Sequence, residues 1–136
     1  MAKAGSSSNV MPARGPRQAV WLHAALAELD QAEKEAADEG YPEPSAAAKD
    51  HARRILDSLS LAALPAPSVY PTEDGEVAIM FRKRGRHAAV VVLCDSSGGA
   101  ICLSSIAGEN RRARYDRATA IPDAFLKAEL RRMKAA

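Results

Sequence analysis

The chain has 136 residues, about the length of one ordinary domain, and its 47% hydrophobic and 26% charged content is that of a globular protein. The longest apolar run, Ala88 to Cys94, is far short of the roughly 18 residues that a membrane-spanning helix needs. Two cysteines without a CxxC exclude a disulfide framework or a cysteine-based zinc site, and a net charge of +2 is well below that of a dedicated nucleic-acid binder.

That net charge hides an asymmetry. Residues 1–68 hold 7 basic and 9 acidic side chains, whereas residues 69–136 hold 12 basic and 8 acidic ones. The N-terminus carries a lysine without an apolar segment behind it, so no secretory signal is expected and a cytoplasmic location is. Abundant alanine and arginine with sparse lysine match the codon usage of a GC-rich bacterial genome.

Residues 1–16 mix Gly, Ser and Pro with isolated apolar positions and are expected to form a flexible tail ahead of a single domain over 17–136. From Arg17 to about Asp38, the stripe Leu22, Leu26, Leu29, Ala32 and Ala36 predicts an amphipathic helix, with Gly40, Pro42 and Pro44 ending it. Ser45 then caps a second helix whose buried side is Ala48, Ala52, Ile55, Leu56 and Leu59. After Pro65-Ala66-Pro67 the period switches to two. Val69-Tyr70, Val77–Arg82, His87–Asp95, Ala100–Ala107 and Arg112–Arg117 read as short strands. The turns between them fall at Thr72–Gly75, Gly85, Ser96–Gly99 and Gly108–Asn110. Pro122 opens a last helix with an apolar side of Phe125 or Leu126, Leu130 and Met133. Strands joined by tight turns must be antiparallel. The expected class is therefore α+β: two N-terminal helices, a four- to five-stranded antiparallel meander and a C-terminal helix, with the helices on one face. His87–Asp95 is apolar on both faces, which suits either a strand covered on both sides or one facing a partner, and a homodimer is expected.

Gly40-Tyr41 followed by Pro42, Pro44 and Ser45, a helix, and then Pro65-x-Pro67-x-Val69-x-Pro71-x-x-Asp74-Gly75-x-Val77 resembles a broad group of small, uncharacterised bacterial proteins. The likeness covers about residues 38–82. In that group a Trp-Asp-x-Tyr-Gly segment precedes the helix and a Pro-x-Val-x-Pro-x-x-Asp-Gly-x-Ile segment opens the sheet. This chain lacks the tryptophan before Tyr41 and has Phe81 where another tryptophan stands in the group. The group resembles accessory proteins of mobile or defence-related loci. The resemblance implies a small cytoplasmic binding protein and transfers no catalytic residue.

Little else in the chain points to chemistry. If the Ser96–Gly99 turn centres on Gly98, Cys94 and Cys102 face each other across a hairpin; two apolar core thiols is the competing reading. His23, His51 and His87 share no metal-ligand spacing and read as surface residues, and Ser96-Ser97-Gly98-Gly99 is a hairpin turn with no phosphate-loop lysine. No catalytic residue, metal or cofactor is expected. The remaining feature is charge. Arg82-Lys83-Arg84-Gly85-Arg86 and Arg111–Arg117 contain 8 of the 19 basic residues, and Arg82, Lys83, Arg84, Arg86, Arg112 and Arg114 are the candidate partner-binding residues. The competing reading is a solvated sheet edge on which cations prevent strand addition. The expected function is non-enzymatic: direct contact with a protein partner, antitoxin-like or as an inhibitor of a host defence system. The alternative is a small nucleic-acid-binding protein that uses the basic hairpin.

Overall fold

The computed structural model describes residues 20–59, 64–83, 87–116 and 122–135. The expected tail over 1–16, Arg17, the hairpin tip with Arg84 and Arg86, and Arg117 lie outside the described residues. Helix α1 spans Val20–Glu39 and buries Trp21, Leu22, Ala25, Leu29, Ala32 and Ala36. Leu26, expected in the stripe, is only partly buried, because Trp21 and Ala25 set the inward face instead. The helix stops as Gly40 takes a φ of +76°, with Gly40 N–H donating to Ala37 O and Tyr41 N–H to Ala36 O at 2.8 Å. This pair of bonds satisfies the last carbonyls and needs a left-handed residue, hence glycine. Helix α2, Ala46–Ser58, begins where the Ser45 hydroxyl accepts from Ala48 N–H at 3.1 Å. The acidic outer side of α1 meets α2 through Arg53–Asp30 and Lys49–Glu33 ion pairs.

Five strands follow: β1 Ser68–Pro71, β2 Val77–Lys83, β3 Ala88–Cys94, β4 Ala100–Ile106 and β5 Glu109–Tyr115. Each pairs antiparallel with the next in sequence, giving the order β1-β2-β3-β4-β5. Helix α3, Asp123–Ala135, returns across the sheet, with Pro122 O accepting from Leu126 N–H. The fold is α+β, a five-stranded meander with two helices before it and one after.

Two turns differ from expectation. The β3–β4 turn is closed by Asp95 N–H donating to Gly99 O, so paired residues sum to 194 and the turn centres on Ser97. The β4–β5 connection is a two-residue turn of Ala107 and Gly108, both at positive φ, so β5 starts at Glu109 rather than Arg112. Positive φ at both central positions marks the turn whose twist matches a tight hairpin.

Strand alternation sorts the sheet into two faces. Val69, Val77, Ile79, Phe81, Val90, Val92, Cys94, Cys102 and Ile106 join Leu29, Ile55, Leu56, Leu126, Leu130 and Met133 in one buried cluster. Phe81 lies edge-on to Trp21, with ring centroids 6.4 Å apart. Helix α1 also lies along the β1 edge, where Glu28 Oε1 accepts from Val69 N–H at 2.7 Å and so closes that edge. No helix among the described residues is long and apolar enough to cross a membrane.

Candidate functional site

Among the described residues, no helix lies over the face of the sheet turned away from the core. One row across it runs Ser68–Met80–Val91–Leu103–Arg112, and the next runs Tyr70–Ala78–Leu93–Ile101–Arg114. A third row holds Arg82, Ala89, Ser105 and Asn110. The middle of this face is therefore apolar. Met80, Val91, Leu93 and Ile101 are half-buried, and Leu103 is exposed at 37%. A shallow cavity of about 400 Å³ opens here, lined by Ala89, Val91, Leu103, Ser105, Asn110 and Arg112 among others. The two-sided apolar character of β3 has a simple cause. Val90, Val92 and Cys94 serve the helices, while Val91 and Leu93 serve this face.

The structure divides the six basic candidates. Arg82, Arg112 and Arg114 have their register positions on the open face. Lys83 is on the other side of the pleat, with Nζ donating to Lys134 O at the end of α3, 2.9 Å away. Arg84 and Arg86 are outside the described residues. Arg82 on β2 and Arg112 on β5 lie on opposite flanks, three strand spacings or about 14 Å apart. The described cations frame an apolar centre instead of forming one basic patch. Arg82 Nη2 leans on Met80 Sδ at 3.5 Å, and Arg114 pairs with Asp116 at 3.2 Å in solvent, an exposed pair of small energy. Arg112 has no ion pair among the described residues.

Cys94 and Cys102 are not opposite each other. With the turn centred on Ser97, Cys94 pairs with Ala100 and Cys102 with Val92, although both thiols enter the core. Burial pushes the Cys94 thiol well above its ordinary value, with the Cys102 thiol adding to this, and burial raises Cys102 to about 12. Both stay protonated at neutral pH and are apolar core groups.

His51 is a correction. It was expected on the surface, but α2 turns it fully inward, where no described side chain bonds to the ring and its polar neighbours are the Gly98 and Gly99 backbone groups. Burial lowers its pKa below 6.5, and Arg54 adds to this, against the raising effect of the nearby Gly99 backbone. The same turn is held by Asp95, whose Oδ1 accepts from Ser97 and Gly99 N–H and from the Ser97 hydroxyl. Burial alone would raise the Asp95 pKa, but these donors and Arg114 outweigh it and hold the carboxyl below its usual value.

Sequence reasoning also missed Glu129. This α3 residue, only 2% exposed, accepts from the Ser104 hydroxyl at 2.6 Å and pairs with Arg132 and Arg111 at 2.9 and 3.2 Å. Arg132 also reaches Glu109, so the group fastens α3 to β4 and β5. Burial pushes the Glu129 carboxyl up, but Ser104, Arg132 and Arg111 together bring it below its ordinary value. Every oxygen of Glu129 is engaged with the protein's own donors, a fastening role. Its helical position, three before Arg132, gave only a surface-pair signal.

Among the described residues no group of three or more His, Cys, Asp or Glu side chains is placed to hold a metal ion. No protein-family model matches the chain, and neither a curated protein nor a solved structure resembles it significantly.

Proposed function

We propose that this is a non-enzymatic binding protein that acts by direct contact with another protein, antitoxin-like or as an inhibitor of a host defence system, working in the cytoplasm. One observation carries the reading: the open sheet face has an apolar centre of Met80, Val91, Leu93, Ile101 and Leu103, framed by Arg82, Arg112 and Arg114. An apolar centre with a polar rim rich in arginine is the ordinary composition of a protein interface. A partner with a complementary apolar patch and an acidic rim fits it. A second copy, as in a homodimer, meets the same apolar centre but brings like charges together at the rim.

Affinity purification from the native host, compared with Leu103→Asp and with Arg112→Glu/Arg114→Glu, tests the reading. One acidic protein co-purifying at a stoichiometric level and lost in both variants is expected. A partner retained by both variants refutes it. The cationic strand favours one competitor, nucleic acid. Neutralising about six phosphates would cost on the order of a thousandfold in affinity between 50 and 200 mM salt. The apolar centre and the separation of the arginines oppose this, and mixed DNA and RNA probes are expected to show negligible shift with micromolar protein at physiological salt. Submicromolar binding with a steep salt slope, lost on changing Arg84 and Arg86 to glutamate, would promote that competitor.

A further inference from the structure

The sheet has two edges, and they are finished differently. At β1, α1 lies alongside and the Glu28 carboxylate takes up the Val69 N–H. At β5 no described element lies outside the strand. The Ala107–Gly108 turn fixes which backbone groups point outward. Ile106 and Glu109 flank a two-residue turn and form a hydrogen-bonded pair. Alternation then turns Glu109, Arg111, Ala113 and Tyr115 toward β4 and turns Asn110, Arg112 and Arg114 away from it. The outward N–H and C=O groups of these three residues have no partner among the described residues. Their side chains share the open face described above. A strand added here would place alternate side chains directly beside Arg112 and Arg114.

We infer that β5 accepts an extended acidic segment of the partner by strand addition, extending the sheet to six strands. This deepens the protein-binding reading of the open face and rests on it. The charges choose the occupant. Two copies pairing through β5 over residues 110–114 about a two-fold axis set Arg112 against Arg112 or Arg112 against Arg114, and like charges directly opposite on a sheet are destabilising. A segment with carboxylates at alternate positions meets Arg112 and Arg114 in cross-strand pairs. Aliphatic residues between the carboxylates fall beside Ala113 and Tyr115 on the other side of the pleat. The arginines thus discourage self-pairing and select an acidic strand. Arg111 is not part of this recognition, because its register position is on the helix side of the pleat, where the buried Glu129 holds its guanidinium, whereas Arg114 meets only the exposed Asp116.

The probe is a capped peptide, Thr-Val-Asp-Val-Glu-Val-Thr, added to the full chain and followed by amide NMR and hydrogen exchange. The expected result is slowed exchange of the Asn110, Arg112 and Arg114 amides, while the amides of 111, 113 and 115, already paired with β4, change little. Replacing Asp and Glu of the peptide by Asn and Gln should weaken binding at least tenfold. Arg112→Glu/Arg114→Glu should transfer the preference to a peptide with lysines at those two positions. Arg112→Pro, which removes an outward N–H that no ladder bond uses, should abolish binding while the fold persists. Shifts confined to Met80, Val91 and Leu103, without protection of the three outward amides, would overturn strand addition and leave the open-face reading standing. No binding of the peptide at millimolar concentration would also overturn it. Loss of the open-face reading itself is scored separately, by retention of the native partner in both Leu103→Asp and Arg112→Glu/Arg114→Glu.

Discussion

His51 and Glu129 are both buried polar residues, and the protein treats them in opposite ways. Glu129 is surrounded by donors, so removing its carboxylate leaves Ser104, Arg111 and Arg132 without their common acceptor. Glu129→Ala is expected to cost about 1–3 kcal/mol in denaturant unfolding, and Glu129→Met less, because a methionine refills the volume. His51 is matched by no described side chain and meets only the Gly98 and Gly99 backbone, and burial lowers its pKa and favours the neutral ring. Its folded pKa lies below 6.5 while the unfolded chain retains the ordinary value, so the unfolded state binds more protons between the two. Stability contributed by the neutral ring is present above about pH 6.5 and is lost as pH falls toward the folded pKa. The melting temperature should therefore drop on acidification from pH 7.5 to 5.5, and His51→Leu should flatten that part of the profile. The lowered Asp95 and Glu129 carboxyls act in a separate window, below the ordinary carboxylate range.

At the scale of elements, turns and edges carry the specificity of the fold. Gly99 lies so close to β5 that an added Cβ would come within 2.7 Å of Tyr115 O. Gly99→Ala must push the end of β5 away, and an unfolding cost of about 1–3 kcal/mol is expected. Glu28 does for β1 what no described side chain does for β5, since its carboxylate replaces a missing strand at Val69 N–H. Glu28→Ala is expected to leave the Val69 amide open to water, seen as faster hydrogen exchange there, with little change at β3. Among the described residues only the β1 edge is closed in this way, so β5 is the edge at which another chain could pair.

For the whole molecule, the helices cover one face of the sheet, and no described element covers the apolar centre of the other. The buried cluster joins residues from every strand but β5 to all three helices without a disulfide or a metal ligand in it. Thermal melts with EDTA or with a thiol reductant are accordingly expected to match those of the untreated protein. A loss of more than a few degrees in either would show a missing cross-link or ion. Leu103→Asp lies outside that cluster and should leave the melting temperature nearly unchanged while abolishing partner binding.

The sequence by itself determined the elements. Ser45 as a cap, Gly40 as a stop, the alternation from Val77 to Arg82, the short apolar runs between turn residues and the absence of long connections together dictated helix, helix, meander, helix, because these signals are local and act within a few residues. It also showed that β3 is apolar on both sides, which is the trace of the open face. Tertiary structure decided what local periodicity does not contain. The rotation of α1 that buries Trp21 and Ala25 was decided by packing against Phe81, and the inward turn of His51 by the space beside Gly98 and Gly99. The register separating Cys94 from Cys102 followed from a turn centred one residue earlier, a choice made by the Asp95 cap rather than by strand pattern. The basic candidates looked alike in sequence because charge has no period. Only strand pairing put Lys83 on the helix side and Arg82, Arg112 and Arg114 around the open face, since a one-residue step along a strand reverses the face a side chain serves.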